Sequence, residues 1–287
     1  MLSGKGGTGK TTVATNLAWT LGSLGATRYV DYDVEEPDGA IFLHPTVDQD
    51  VAATSRYPVV GENCVPCGRC SAACSYHALA EVGGQLLTFP ELCHGCGACA
   101  LACPRGAIAE AERTIGHVRS GPIADGLDWY EGVLNEGESL ASTVVRRLRR
   151  LAEAAPPQGD EAAMLVADCP PGSSCEVIHA AEGSDLALLV AEPTRFGLHD
   201  LGIAVRLMRA LELPMAVFVN KDDGSGLVDR YAATEGIPVI GRLPFDLAVA
   251  RAVARGELIA GREPWAAVFT ALAEAVLRLT RRGEAAS

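Results

Sequence analysis

The sequence predicts an α/β protein built on a doubly wound, mostly parallel sheet, with a small α+β domain inserted into it. Three observations support this fold class. A glycine-rich loop at residues 4–11 leads directly into a helical pattern, short apolar strands alternate with helices in the second half of the chain, and a cysteine-rich stretch lies between these two parts. We therefore assign residues 1–54 and 114–287 to the core and residues 55–113 to the inserted domain.

Composition limits the class of protein. The chain has 287 residues and 48% of them are hydrophobic, which is enough for a buried core. The sequence has no run of eighteen apolar residues, and its first fifteen residues lack the apolar stretch of a signal peptide, so we expect a cytoplasmic protein. Acidic residues outnumber basic ones by 36 to 24, a formal net charge of −12, so we expect no nucleic-acid partner.

Two segments of the core, one on each side of the proposed insertion, are each predicted to form a helix followed by a strand. A helical pattern extends over residues 10–25, and the segment TRYVDYD at residues 27–33 predicts a strand that ends in carboxylates. Residues 139–155 predict an amphipathic helix with a basic face. The segment PPQGD at residues 156–160 breaks this helix before the apolar strand AAMLVAD at residues 162–168.

The second half alternates strictly between strand and helix, which is typical of a sheet covered by helices on both faces. We predict strands at residues 185–193, 214–221 and 238–244, and helices at about 197–211, near Val228, at 246–256 and at 264–282. The last helix carries Val268, Phe269, Leu272, Val276 and Leu279 on one face. Such a stripe is typical of core packing, which we favour, or of docking on a membrane surface, which we consider unlikely.

The loop at the start of the chain predicts a phosphate-binding site. It matches the pattern GxxxxGK(S/T) through Gly4, Lys5, Gly6, Gly7, Thr8, Gly9, Lys10 and Thr11, with Thr12 following in the helix. In such a loop the backbone N–H groups wrap the phosphates, Lys10 reaches the β and γ phosphates, and the Thr11 hydroxyl ligates Mg²⁺. The alternative is a glycine-rich turn without a ligand.

The segment KGGTGKT resembles the deviant Walker A loop of the MinD/ParA/Mrp superfamily of P-loop ATPases, which includes the nitrogenase iron protein. This resemblance implies Mg²⁺-dependent ATP hydrolysis in a homodimer that sandwiches its nucleotides, with Lys5 reaching the phosphates of the partner subunit. A cation supplied in this way acts like an arginine finger. The alternative for Lys5 is a solvated loop charge.

Carboxylates end two of the predicted strands, at the edge where open α/β sheets bind ligands. Asp31 and Asp33 follow the first of these strands, and Asp168 ends the second. A single Asp at a strand end is more often a helix cap. The superfamily resemblance implies that Asp33 activates the attacking water, that Asp31 and Asp168 serve the Mg²⁺ ion, and that the following CPPG segment is switch II with Gly172 as its pivot.

Two later residues match positions that contact the nucleobase in related ATPases. The resemblance implies that the Asn220 amide reads the adenine edge and that the loop around Pro244 closes over the base. Asn220, Lys221 and Asp223 also match the guanine-reading pattern NKxD. We favour ATP because of the KGG loop, and GTP stays open as the alternative.

Eight of the ten cysteines form two copies of the spacing C-x₂-C-x₂-C-x₃-C, typical of bacterial two-cluster ferredoxins, in which each cluster takes its fourth ligand from the other run. This spacing assigns one 4Fe–4S cluster to Cys64, Cys67, Cys70 and Cys103, and the other to Cys93, Cys96, Cys99 and Cys74. Zinc is the alternative metal, which the three-residue steps disfavour. Ten cysteines in a cytosolic chain are not expected to form disulfides.

Together the motifs resemble MinD-superfamily ATPases with an inserted two-cluster ferredoxin domain, and the resemblance covers nearly the whole chain. It includes the segments DVEEPD, DCPPGSSC and AEPTRFGLHDL. It matches Cys175 to a switch II cysteine near the nucleotide, whereas we expect Cys169 to be a buried thiol.

The function that this resemblance implies is nucleotide-gated electron transfer. ATP-driven changes in the homodimer would gate electron transfer through the two clusters to a redox or iron–sulfur partner protein. The alternatives are a MinD/ParA-like spatial-organisation ATPase with structural or sensing clusters, and an Mrp-like iron–sulfur cluster carrier.

The segment before the loop is unusually short for this superfamily, whose members form a central strand there. Here only Met1, Leu2 and Ser3 precede the loop. Losing a central strand would leave buried backbone groups unpaired, at about 1–3 kcal/mol each. We therefore expect the natural protein to begin upstream and a shortened protein to be poorly soluble; the alternative is that the short segment pairs well enough.

Overall fold

A computed structural model describes residues 1–155 and 163–284, with the side chains of residues 281–284 left out, so the predicted break at residues 156–160 lies outside the described residues. The helices are α1 Lys10–Gly22, α2 Gly39–Leu43, α3 Arg69–Ala73, α4 Ala98–Ala102, α5 Ala141–Ala154, α6 Cys175–Ala181, α7 Arg195–Ala210, α8 Leu227–Glu235, α9 Leu247–Ala254 and α10 Trp265–Glu284. The strands are β1 Thr27–Asp31, β2 Gln49–Val60, β3 Leu79–Val82, β4 Gln85–Thr88, β5 Ile108–Ala124, β6 Leu127–Leu134, β7 Met164–Asp168, β8 Ala187–Ala191, β9 Met215–Asp222 and β10 Val239–Pro244.

The strands form two larger sheets and one small one. The first sheet has the order β2-β5-β6-β1-β7, the second has the order β10-β9-β8, and β3 pairs with β4. Strands β6, β1 and β7 are parallel, as are β8, β9 and β10, whereas β2, β5 and β6 pair antiparallel. The expected doubly wound and mostly parallel α/β fold is confirmed.

The first three residues lie between β7 and β8 and join the two larger sheets. The Leu2 N–H donates to the Leu188 carbonyl at 3.0 Å, and the Val190 N–H donates to the Leu2 carbonyl at 2.9 Å. On the other side, the Cys169 N–H donates to the Met1 carbonyl at 3.2 Å. This short segment therefore pairs with both neighbouring strands.

Beyond Met1, β7 and β8 flank a cleft of about 950 Å³. Helices α1 and α10 line it on one face of the sheet, through Leu17, Leu21 and Val276, and α5 lines it on the other. The three-residue segment thus pairs only near the carboxyl ends of β7 and β8, next to the glycine-rich loop. The expected upstream start stays a prediction.

Helices cover both faces of the sheets and form two hydrophobic cores. On one face α5, α6, α7 and α8 bury side chains such as Val144, Leu148 and Met208. On the other face α1 and α10 bury Leu17 and Phe269 against the strands. Burial of apolar surface on both faces is the main term that stabilises such a sheet.

The final helix belongs to the second core. Phe269 and Leu272 are fully buried and Val276 is nearly so, while Val268 and Leu279 are partly buried against the same core. The preference for core packing over membrane docking is therefore confirmed for this apolar face. Among the described residues, the helices include none long and apolar enough to cross a bilayer.

Five strands, β2 to β6, were not individually predicted from the sequence. Strand β2 and the 17-residue β5 form a long antiparallel ladder, and a tight turn at Gly126 (φ 80°) joins β5 to β6. The Asp125-Gly126 pair is a hairpin signal that marks this turn. Strands β2 and β5 cross the proposed domain limits at residues 55 and 113 without a break, and the division into domains stays a prediction.

Helix α1 ends three residues earlier than predicted. The N–H groups of Leu24 and Gly25 both donate to the Leu21 carbonyl, which closes the last turn at Gly22. This early end lets the chain turn directly into β1, which lies between β6 and β7 in the first sheet.

Candidate functional site

The glycine-rich loop lies at the carboxyl edge of the sheet, between the first three residues and α1. Gly7 and Gly9 adopt left-handed conformations, with φ of 79° and 87°, which non-glycine residues rarely adopt. A cavity of about 520 Å³ opens beside the loop. Among the predicted site residues, its lining includes Lys5, Gly6, Gly7, Thr8, Gly9, Lys10, Thr11, Thr12, Asp33, Asn220 and Pro244. The structure therefore brings these predicted residues together in one cavity.

The glycine-rich loop packs against two other elements, α7 and β9. A Cβ on Gly4 would lie 2.2 Å from the Asp200 carbonyl oxygen, so the loop packs directly on α7. The Asn220 amide donates to the Thr8 carbonyl at 2.7 Å, and a Cβ on Gly9 would meet the same amide nitrogen at 2.1 Å. Asn220 thus braces the loop, and its expected contact with the base stays a prediction.

Carboxylates converge below the loop. Oxygens of Asp31, Asp38 and Asp168 lie within 4.8 Å of one another, as a metal ion requires. The Lys10 ammonium lies 3.5 Å from Asp168 Oδ1, which is buried and has no hydrogen-bond partner in the described structure. Carboxylate oxygens are hard ligands, so an oxygen held in this state fits a cation such as Mg²⁺.

The charges of this cluster strongly affect one another. Burial and then the Asp168 charge raise the pKa of Asp31 well above its usual value. Burial also raises the pKa of Asp33 to about 6, although the Lys10 charge opposes this shift. For Lys10, burial lowers the pKa, but Asp168 and Asp33 outweigh it and the pKa is raised. The lysine therefore stays charged beside the acids.

Tyr29 lies beneath these acids and was not predicted as a site residue. Its hydroxyl donates to Asp168 Oδ2 at 3.2 Å and lies 3.5 Å from Asp31 Oδ2, which also accepts from the Gly39 N–H at 2.9 Å. Asp38, which precedes Gly39, was also missed. Its position in the acidic segment DYDVEEPD was the available signal.

The Lys5 side chain forms an ion pair within its own chain. Its ammonium lies 2.8 Å from Glu192 Oε1, at the end of β8. The Lys221 ammonium lies 3.3 Å from the other oxygen of the same carboxylate and donates to the Gly7 carbonyl at 2.7 Å. One carboxylate therefore binds two lysines at the mouth of the cavity.

The segment after Asp168 contains Gly172, whose role as the pivot of switch II stays a prediction. Gly172 has φ of 94°, and its N–H donates to the Ser3 carbonyl at 3.1 Å, next to the loop. Cys175 is exposed and begins α6, and its role stays a prediction. Cys169 is buried, as predicted, and burial raises the pKa of its thiol.

The eight clustered cysteines line two separate cavities in the same two sets that the spacing assigned. The first cavity, of about 130 Å³, is lined by Cys64, Cys67, Cys70 and Cys103. The second, of about 20 Å³, is lined by Cys74, Cys93, Cys96 and Cys99. Each set provides four sulfur ligands around one space, which suits an iron–sulfur cluster or a tetrahedral metal ion.

Backbone N–H groups point at several of these sulfurs. Cys74 Sγ accepts from Ala78 at 3.3 Å, and Cys103 Sγ accepts from Ala107 at 3.3 Å. The contact from Ala107 is the main cause that lowers the pKa of Cys103. Such N–H groups favour thiolate, the form in which cysteine binds metals.

Comparison with known proteins places this architecture in a family. A family model described as the CobQ/CobB/MinD/ParA nucleotide binding domain matches residues 1–259. The chain belongs to this family. Among solved structures, MinD of Pyrococcus horikoshii complexed with Mg-ADP has a TM-score of 0.58 at 18% identity, covering 98% of this chain and 96% of that one. The cell division ATPase MinD of Pyrococcus furiosus has a TM-score of 0.57 at 18% identity, covering 97% of each chain. These likenesses show the CobQ/CobB/MinD/ParA fold.

Relatives found by sequence similarity differ in how much of the chain they match. An uncharacterised protein of Methanocaldococcus jannaschii is 28% identical over 261 residues, covering 90% of this chain and 88% of that protein. An iron–sulfur cluster carrier protein of Pyrococcus abyssi is 30% identical over 128 residues, covering 38% of this chain and 43% of the carrier. The chain therefore has partial homology to iron–sulfur cluster carriers.

Proposed function

We propose that this member of the CobQ/CobB/MinD/ParA family is a cytoplasmic Mg²⁺-dependent ATPase that forms a homodimer through its nucleotide and carries two 4Fe–4S clusters. In this proposal the nucleotide state gates electron transfer from the clusters to a redox or iron–sulfur partner protein. The observation that supports it most is that one chain contains both a glycine-rich phosphate loop above an acidic cluster and two cavities that are each lined by four cysteines.

Residues of the loop and of the neighbouring strand ends have different roles in the proposed hydrolysis. Backbone N–H groups of the loop bind the phosphates, and Lys10 neutralises the charge that develops on the γ-phosphate. Thr11, Asp31 and Asp168 hold Mg²⁺, which supplies further charge neutralisation when bound. Asp33 lines the cavity, and with a pKa of about 6 it is ionised at neutral pH and accepts a hydrogen bond from the attacking water.

The homodimer supplies the second cation. Lys5 lies at the mouth of the cavity, and its side chain is 37% exposed. An ammonium at this place can reach a second copy that faces the loop, where it stabilises the partner's phosphates in the transition state. We expect Lys5→Ala to abolish turnover and to leave nucleotide binding intact.

Coupling of the nucleotide state to electron transfer requires a segment that contacts both the nucleotide and the rest of the molecule. In this proposal the segment from Asp168 to Cys175 has this role, since it begins at a predicted Mg²⁺ ligand and contains Gly172, whose N–H donates to the Ser3 carbonyl next to the loop. ATP can change partner affinity or cluster potential only if it interacts differently with two conformations of such a segment. Clusters held by the two cysteine sets would supply one-electron storage and release.

A second candidate function is iron–sulfur cluster carriage. The partial homology to carrier proteins favours it. A carrier must release its cluster to an acceptor, whereas cysteines that are buried and accept backbone hydrogen bonds, such as Cys93, favour retention. Transfer of iron to an apo-acceptor protein during ATP turnover would support the carrier function over electron transfer.

The deciding experiment is anaerobic purification followed by metal analysis and EPR of the reduced protein, with and without Mg-ATP. We expect about eight iron atoms per chain, from two clusters of four, and an EPR signal that changes with nucleotide. A colourless protein that contains zinc or no metal would refute the cluster assignment. A spectrum that ATP leaves unchanged would refute gating.

A further inference from the structure

We propose that Glu192 is a positioning residue for Lys5. In the unpaired chain the Glu192 carboxylate holds the Lys5 ammonium beside its own loop, and Lys221 takes over this carboxylate when Lys5 moves to the nucleotide of a second copy. The inference rests on the proposed nucleotide-bridged homodimer and adds the residues that control when Lys5 becomes available.

The geometry is that of one carboxylate shared by two ammonium groups. Glu192 follows β8, so its carboxylate lies at the same edge of the sheet as the loop. Its Oε1 lies 2.8 Å from Lys5 Nζ, and its Oε2 lies 3.3 Å from Lys221 Nζ. Each oxygen therefore has its own cation, and Oε1 also accepts a hydrogen bond from the Thr194 hydroxyl at 3.3 Å.

The two lysines differ in how firmly they are held. Lys221 Nζ also donates to the Gly7 carbonyl at 2.7 Å, and the Lys221 backbone has φ of 55°, a left-handed conformation that persists in non-glycine residues only where the surroundings hold it. Lys5 extends from the loop, and Glu192 is the acceptor its ammonium contacts in the described structure. Lys5 is thus the cation that can leave.

The carboxylate needs a cation at all times. The Glu192 side chain is only 13% exposed, so an unpaired charge there would be unfavourable. Burial alone would raise the pKa of Glu192, but hydrogen bonds from Lys5 and Lys221 outweigh it and the pKa is lowered. The hydrogen bond that Lys5 donates to Glu192 is the main cause that raises the pKa of Lys5. Glu192 and Lys5 are therefore both charged at neutral pH.

This arrangement makes the contact within the chain compete with the contact across the dimer. Neutralising Glu192 removes the main competitor and leaves only the weaker attraction of the Asp200 charge, so Lys5 is held less tightly and ATP-dependent dimerisation strengthens. Removing the Lys221 charge has the opposite effect, because Glu192 then binds Lys5 more tightly and keeps only the neutral Thr194 hydroxyl as a partner when Lys5 departs. Mere damage to the loop would weaken dimerisation in both variants.

The test is a double-mutant cycle on the full, cluster-loaded chain. Analytical ultracentrifugation at saturating Mg²⁺ and a non-hydrolysable ATP analogue measures the dimer dissociation constant. For Glu192→Gln we expect this constant to fall roughly two- to fivefold, the range of an exposed ion pair, and for Lys221→Met we expect it to rise by a similar factor. In the Glu192→Gln, Lys221→Met double variant, the Lys221 effect should disappear.

Two controls separate the possible failures. Glu235→Gln removes a carboxylate that pairs with Arg209 away from the loop, and it should leave the dimer constant unchanged. If Glu192→Gln weakens dimerisation or leaves it unchanged while Lys5→Ala abolishes turnover, the inference is wrong and the proposed function stands. If Lys5→Ala retains full turnover, the proposed role of Lys5 across the dimer is wrong. The inference about Glu192 is then wrong as well.

Discussion

Lys10 shows at the residue scale how burial and charge act together in this site. Its side chain is 8% exposed, and it faces Asp168 at 3.5 Å. A buried ammonium is stable only when acids compensate its desolvation, and here the carboxylates of Asp168, Asp33 and Asp31 do so. In the proposed enzyme the same ammonium exchanges part of this contact for the phosphates of ATP.

Lys10→Ala should separate the two halves of the proposed function. We expect the ATPase rate to fall by at least about 100-fold, because a preorganised cation that faces the developing charge is lost. The iron content should be unchanged, since the cysteine cavities lie elsewhere in the chain. Phosphate release and iron analysis on the same preparation measure both. Loss of iron together with activity would contradict the independence of the two sites.

Glu131 gives a pH-dependent prediction at the residue scale. It lies on β6 beside Asp31, and burial raises its pKa from 4.5 to about 7, although Arg119 at 3.7 Å opposes this shift. A carboxyl whose pKa is raised on folding contributes most to stability below pH 4.5. That contribution is lost as the pH rises towards 7, because ionisation of the buried group then opposes folding.

Glu131→Gln should therefore stabilise the protein at high pH. We expect a gain in the free energy of unfolding of about 1–2 kcal/mol above pH 7, allowing for the lost contact with Arg119, and almost none below pH 4.5. Urea denaturation of both proteins across this pH range measures the difference. A gain that is independent of pH would show that ionisation of Glu131 is not its cause.

At the scale of elements, α10 shows how an ambiguous stripe is resolved by its neighbours. The helix packs against α1 and β10, and the ring of Phe269 lies 6.5 Å from that of Phe218 in β9. The stripe that would suit a membrane surface is therefore covered by the sheet and by α1. The apolar residues of this helix contribute to the stability of the fold.

Phe269→Ala tests this role of α10. Since the side chain is fully buried, we expect the free energy of unfolding to fall by about 3–5 kcal/mol. Phe196→Ala is a matched control, because Phe196 is 78% exposed and its loss should change stability by less than about 0.5 kcal/mol. Urea unfolding curves compare the two. Equal effects would contradict the packing of α10 in the core.

At the scale of the whole molecule, two sites of different chemistry share one chain. The phosphate loop lies at the carboxyl edge of the parallel strands, while the cysteine cavities are built from the segments between β2 and β5. The long β2–β5 ladder connects these segments to the first sheet. Backbone pairing therefore joins the cysteine-bearing segments to the first sheet, with one register shift between Ala53 and Thr54.

The two cysteine sets give a prediction about metal content. Cys67→Ser and Cys96→Ser should each lower the iron content by about half, because each removes one of four ligands from one cavity only. Cys175→Ser is the control, since this exposed cysteine lies outside both sets and should leave the iron content unchanged. Loss of all iron in either ligand variant would show that the two clusters do not assemble independently.

Much of this protein was predictable because its chemistry lies in contiguous motifs. The phosphate loop, the acids at the ends of β1 and β7, and the two cysteine runs each occupy a short segment whose spacing is itself the signal. The alternation of strands and helices after residue 163 was predictable for the same reason. Local spacing also assigned the cysteines to the two sets that line the two cavities.

Only the tertiary structure decided which distant residues meet. Lys221 and Gly7 are 214 positions apart, and Tyr29 and Asp168 are 139 positions apart, yet both pairs are in hydrogen-bond contact. The β2–β5 ladder and the pairing of the first three residues between β7 and β8 also required the folded chain. A motif determines what a side chain can do, whereas strand order determines which side chains it faces, because neighbours in a sheet need not be neighbours in sequence.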